Sequence, residues 1–191
     1  EGNIQTRRRR TFKLLDNLCS VFSDEVVQTA IPIIQAKLTI TNESLTATAI
    51  DSQYNQELSL EENVSLIKES GAMIVGALAC GSIAALASLV QFMPQLQTFL
   101  HDPLPETRAA SCWAMASYVD WLVEEMKKED DATAQIGCEN LRHLITCLLG
   151  AMSDTNPNVQ WAACTAMERA VKGATHILLG HSGTALLPHI T

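Results

Sequence analysis

The sequence predicts an all-α chain built from stacked, repeated helix pairs, and three observations carry that expectation. Strand-like alternation is nearly absent from the 191 residues, while helical periodicity recurs along them. Three segments, residues 67–80, 107–120 and 159–172, superimpose without gaps. Short turns bearing Asp and Pro, around Asp102 and Asp154, stand before the second and third of these segments.

Counted from the first residue of each segment, offsets 0, 4, 7, 8 and 11 hold Ile67, Gly71, Ile74, Val75 and Leu78, then Thr107, Ser111, Ala114, Met115 and Tyr118, then Val159, Ala163, Ala166, Met167 and Ala170. At about 100° per residue these offsets fall on one helix face, which is small or apolar in all three copies. Before the turns lie further apolar helices, residues 95–100 and 144–149. Asp supplies turn oxygens that end the first helix, and Pro105 or Pro157 opens the next. Helix, tight turn and second helix make a unit of HEAT type, which cannot bury its apolar face alone and stacks into a superhelical solenoid.

In chain order, residues 1–23 read as the second helix of a truncated repeat. Arg7 takes offset 0 there, with Thr11, Leu14, Leu15 and Leu18 on the core face. Residues 24–82 form the next repeat, its first helix at 25–37, with a polar insertion at 39–63 rich in Thr, Ser, Asn, Gln and Glu. Residues 86–126 form another repeat, 127–137 a charged linker, 138–173 a further repeat, and 174–191 the start of one more. The start at Glu1 without Met and the helix-like opening at 186–190 suggest a piece of a longer array.

Composition narrows the function classes. With 47% apolar and 18% charged residues the chain buries a core, and a net charge of −8 argues against nucleic acid as a direct partner. The most apolar stretch, residues 72–90, is interrupted by Gly76, Gly81, Ser82 and Ser88 and reads as buried helix, not a membrane span. The six cysteines, at 19, 80, 112, 138, 147 and 164, form no C-x-x-C pair and read as buried thiols in a reducing compartment. Five histidines lack metal-ligand spacing, so no metal and no cofactor is expected. No Gly-rich phosphate loop, nucleophile elbow or H-E-x-x-H is present, and the adjacent pairs Glu61-Glu62 and Asp130-Asp131 cannot converge on one substrate, so no catalytic residue and no enzyme is expected. Arg7 to Arg10 read as a solvated helix start.

The stripe left over by the core carries the functional reading. Offsets 3, 6, 10 and 13 hold Ser70, Met73, Ala77 and Cys80, then Ala110, Trp113, Ser117 and Asp120, then Ala162, Thr165, Arg169 and Lys172. Second helices line the concave side of a curved stack, so this stripe forms an inner groove. Trp113 among small neighbours either offers a flat apolar platform to a peptide or packs sideways on a neighbouring second helix.

Residues 67–71 (IKESG), 76–79, 95–102 and the C-W-x-x-x-x-Y-x-x-W run from Cys112 to Trp121 resemble the middle repeats of transportins, nuclear import receptors (karyopherins) of the importin-β superfamily. The resemblance continues through residues 14–22 and 159–166. It implies a superhelical receptor that binds proline-tyrosine nuclear localisation signals of cargo proteins, FG nucleoporins and the Ran GTPase, whose GTP form releases cargo. It also implies shuttling between cytoplasm and nucleus as a monomer, without membrane or nucleic-acid binding. Carried onto this sequence, the cargo site comprises Asp16, Met73, Ala110 and Trp113, with Ser117 where the family has an arginine; Thr165 joins it from the groove stripe. Phe12 and Lys13 replace small residues, and Trp161 and Lys172 replace acidic contacts. The alternative is a HEAT scaffold or assembly subunit whose groove holds another folded protein.

Overall fold

A computed structural model describes residues 13–15, 17–18, 21, 23–48, 58–81, 83–127 and 131–180. The described elements are helices: α1 (Ser23–Leu38), α2 (Asn42–Thr48), α3 (Leu60–Gly81), α4 (Ile83–Leu89), a 3-10 turn (Val90–Phe92), α5 (Met93–Phe99), α6 (Pro105–Ala116), α7 (Val119–Met126), α8 (Asp131–Ala151) and α9 (Pro157–Gly180). No strand occurs among the described residues. The fold is the expected HEAT-type helical solenoid. The second helices α3, α6 and α9 lie side by side, and the first helices pack behind them, α1 on α3, α5 on α6 and α8 on α9.

The repeated core face holds in the structure. Thr107, Ser111, Ala114, Met115 and Tyr118 are all fully buried, as are Val159, Ala163 and Ala170. Thr107 has a partner of its own: its hydroxyl donates to the Ser65 carbonyl on α3 at 3.0 Å, tying two second helices together inside the core. By length and hydropathy α3 is long and apolar enough to cross a membrane, yet Gly71, Ala72, Val75 and Leu78 are buried in the stack. At Gly71 a Cβ would fall 2.8 Å from Leu38 Cδ2, so the residue's lack of a side chain sets how closely α1 and α3 approach.

Pro94 breaks the first helix of the middle pair. Pro lacks an N–H, and the chain tightens into the 3-10 turn, where the Met93 N–H turns to the Val90 carbonyl. The Leu89 carbonyl then accepts from the Tyr118 hydroxyl at 2.7 Å, a buried bond from the matching break between α6 and α7. Burial pushes the Tyr118 hydroxyl far above its ordinary range.

Basic side chains at offset 1 of α3 and α6 stitch each of these helices to the next turn. Lys68 Nζ lies 3.8 Å from Asp102 Oδ2. Arg108 grips Asp154 with two parallel bonds, Nε to Oδ2 at 2.7 Å and Nη2 to Oδ1 at 2.9 Å, and donates through Nη1 to the Asp102 carbonyl at 2.8 Å. The guanidinium holds the Asp154 carboxyl below its usual range.

Several expectations are corrected. The stretch at 39–63 is not wholly irregular: α2 lies within it, and α3 begins at Leu60. A reciprocal cap opens α3, with Ser59 N donating to Glu62 Oε2 at 2.8 Å and Glu62 N donating to Ser59 Oγ at 3.2 Å. The S-x-x-E spacing that specifies this cap stands in the sequence. Residues 131–137 of the expected linker belong to α8. The helix expected to end near 173 runs to Gly180. Leu14 and Leu18 are 58% and 38% exposed, because nothing among the described residues covers them. Cys80 and Cys164 are exposed and only Cys112 is buried among the described cysteines; Cys112 and Cys164 share offset 5, so their place in the stack and not the helical period separates them. Arg7 to Arg10 and Phe12 lie outside the described residues.

Candidate functional site

A cleft of about 900 Å³ opens on the inner face, where α3, α6 and α9 run side by side. Small residues make its floor, Ala109, Ala110, Ala162 and Ala166, and its walls carry Met73, Trp113, Trp161 and Thr165. Small floor residues let the three backbones approach and leave room above them for a ligand.

Gly76 of α3 positions Trp113. A Cβ at Gly76 would fall 2.6 Å from Trp113 Cε3 and 3.0 Å from Cη2, so the indole rests directly on the glycine backbone. It therefore packs sideways on the preceding second helix and lines the cleft as well, a half-buried platform held in one orientation. Of the two readings of Trp113 from spacing, sideways packing on a neighbouring second helix is the one seen, and the rest of the side chain lines the cleft. Trp161 differs: it is 73% exposed, the largest apolar group that the cleft leaves to solvent.

The cleft-lining stripe is turned relative to the expected one. Offsets 3 and 10 are buried between neighbouring second helices in α6, with Ala110 5% and Ser117 1% exposed, and at Ala77 of α3, 2% exposed, while Ala162 and Arg169 at the same offsets of α9 keep part of their surface in the cleft. Offsets 2, 6, 9 and 13 face outward, carrying Glu69 and Met73, Ala109 and Trp113, then Trp161, Thr165, Glu168 and Lys172 into the cleft lining. The rotation is about 50°, half of one residue's turn. Sequence periodicity separates a core face from the rest, but in a solenoid each second helix also has a neighbour on either flank, and those flanks absorb offsets 3 and 10 of α6.

Met73, Ala110, Trp113 and Thr165 are thus brought to one cleft, Ala110 with little exposed surface. Ser117 is not among the cleft-lining residues: it is buried, its hydroxyl lying 3.2 Å from Cys80 Sγ and 3.4 Å from the Trp113 carbonyl. Asp16 lies outside the described residues. Periodicity alone did not point to Glu69, Glu106 or Glu168, which also line the cleft. Glu69 and Glu168 stand one position before stripe offsets 3 and 10, a place that comes into view only once the rotation is known, and Glu106 precedes its segment by one residue.

The charges divide along the cleft. Glu69 and Glu106 stand toward the turns, while Arg169 and Lys172 stand toward the far end. Both cations have carboxylate partners: Arg169 Nη2 donates to Asp120 Oδ2 at 2.6 Å, and Lys172 pairs with Glu168 one helical turn away. The Lys172 ammonium holds the Glu168 carboxyl below its usual range. Lys37 of α1 donates to Ser70 Oγ on α3 at 2.9 Å, outside the cleft lining. Among the described residues no cluster of His, Cys, Asp and Glu could hold a metal ion.

No family model matches the chain. Curated relatives do: the chain is 28% identical to Transportin-1 of Oryza sativa subsp. japonica over 96% of its own length and 18% of that protein. It is 26% identical to Transportin of Dictyostelium discoideum over 94% of its length and 16% of that protein. Human Transportin-1 is 26% identical over 83% of the chain and 14% of the relative. The chain is therefore transportin-like over most of its length, and spans less than a fifth of the relatives it matches.

Proposed function

We propose that this chain is the cargo-binding segment of a karyopherin-type nuclear import receptor, and that the cleft between α3, α6 and α9 takes an extended segment bearing a nuclear localisation signal. The observation that carries the reading is the Trp113 indole, seated on Gly76 and presented in a cleft with an alanine floor. A rigid aromatic platform beside small residues gives an extended chain a flat apolar surface to lie on, at little entropic cost to the protein. Cargo proteins bind here; Ran in its GTP form releases them in the whole receptor, which engages FG nucleoporins and shuttles between cytoplasm and nucleus. The chemistry is recognition and release, without catalysis.

The proline-tyrosine class of signal is the first ligand to test, with Met73, Ala110, Trp113 and Thr165 as its contacts and Asp16 a further one. Ser117, buried under Trp113, shapes the cleft without touching the ligand. Trp161 and Lys172 stand where the family resemblance implies carboxylates, so the end of the cleft formed by α9 is less acidic than that resemblance implies and favours apolar over strongly basic flanks. In the full-length protein, Trp113→Ala is expected to weaken binding of a labelled proline-tyrosine signal peptide at least about 30-fold, as for a central aromatic hot spot. Unchanged binding would leave a scaffold that grips a folded partner as the better reading.

A further inference from the structure

The Arg169 side chain leaves α9 and crosses the inner face. Its Nη2 donates to Asp120 Oδ2 on α7 at 2.6 Å, and its Nη1 donates to Cys80 Sγ on α3 at 3.8 Å. Cys80 Sγ in turn lies 3.2 Å from Ser117 Oγ. One guanidinium from the third second helix thus spans the middle repeat and reaches Cys80 of α3, whose thiol meets the buried Ser117.

A guanidinium carries five N–H donors in one plane, and a thiol is a weak acceptor for any of them. Asp120 therefore fixes the group without using up its donors. The side chain remains 39% exposed and lines the cleft, so its outer edge faces whatever lies there. Asp120 also offsets its charge, and three carboxylates share the cleft lining, Glu69, Glu106 and Glu168. A neutral acceptor fits this balance better than a second anion does.

We propose that Arg169 is a ligand-binding residue of the cleft, pinned by Asp120 so that its remaining donors bond main-chain carbonyl oxygens of the extended segment lying on Trp113. The inference rests on the cleft reading above and adds to it a contact delivered from a different helix. Main-chain recognition suits an extended ligand because carbonyls recur along it whatever its side chains, so Arg169 supplies affinity and Trp113 selects the side chain.

The test uses fluorescence anisotropy of a labelled proline-tyrosine signal peptide with the full-length protein, beside thermal melting of each variant. Arg169→Gln is expected to weaken binding about 10-fold, the effect of losing bonds from a charged donor. Its melting temperature should stay close to that of the parent, because an exposed ion pair contributes little to stability. Arg169→Lys keeps the charge but loses the planar fork, and is expected to bind nearly as weakly as Arg169→Gln. Amidating the peptide's C-terminus should leave affinity unchanged. Parent-like affinity in Arg169→Gln with binding lost in Trp113→Ala overturns the arginine contact and leaves the cleft reading standing; parent-like affinity in both variants overturns both. Full affinity in Arg169→Lys, or a loss in Arg169→Gln matched by a large fall in melting temperature, also overturns the proposal, the first by showing that charge alone suffices and the second by showing a structural tie.

Discussion

The two joints between successive second helices solve the same packing problem differently. Where α3 meets α6, the turn-side ion pair is long, Lys68 to Asp102 at 3.8 Å, and the joint closes through apolar contact as the Trp113 indole lies on Gly76. Where α6 meets α9, Arg108 takes Asp154 in a two-bond grip and Arg169 takes Asp120, while the surface between them opens into the cleft. Trp113 closes the α3–α6 side of the cleft that it also lines, while charged pairs stand at the two ends of the α6–α9 joint around an alanine floor.

That contrast can be broken from either side. Arg108→Ala should have the largest effect, about 2–3 kcal/mol of stability in urea unfolding. Both partners are mostly buried, 14% and 12% exposed, and Asp154 would be left without its guanidinium. Gly76→Ala comes next, at about 1–2 kcal/mol, because the new methyl overlaps the indole and one of the two must shift. Displacing Trp113 should also weaken peptide binding, an effect that Arg108→Ala should largely spare. A variant that lost stability but kept full affinity would separate the apolar seal from the binding platform. Lys68→Ala should cost about 1 kcal/mol, since the pair is long and its lysine 25% exposed, although Asp102, 3% exposed, loses a cation.

The same comparison has a pH signature. Arg108 lowers the folded-state pKa of Asp154 below the ordinary aspartate value of 3.8, so the pair's contribution is fully present above that value and is lost as pH falls below it. The stability gap between parent and Arg108→Ala should therefore narrow below pH 3.8, while the gap for Gly76→Ala, which involves no titrating group, should not narrow. A gap for Arg108→Ala that stays constant into acid would mean that the arginine acts through its packing alone. The smallest effect is chemical: Cys80 and Cys164 should label with a thiol reagent in the native state, and Cys112, whose thiol burial pushes up to about 12, only on unfolding.

Much of this architecture was legible from spacing. The core offsets placed Thr107, Ser111, Met115, Tyr118, Val159, Ala163 and Ala170 correctly, because burial against a first helix imposes one face at the helical period. The proline openings of α6 and α9 were equally readable, since Pro at a helix start has a local cause. Less was legible where a polar composition concealed local order. The cap at Ser59 and Glu62 specifies the start of α3 by two hydrogen bonds, although its neighbours look like loop. Residues 131–137 likewise carry helix, although the run KKED just before them reads as linker.

The candidate site shows the limit more sharply. The sequence by itself determined which residues face the core and that Trp113 stands off that face, because both follow from the turn of a single helix. Only the tertiary structure decided which of the remaining positions meet solvent. Flanking helices cover Ala77, Ala110 and Ser117 and leave Glu69, Trp161 and Glu168 in the cleft lining, a choice set by how side-by-side helices pack and not by any one helix's period. It also decided that Arg169 crosses a whole repeat to reach Cys80, since a long flexible side chain goes where partners 49 and 89 residues away in sequence have been brought.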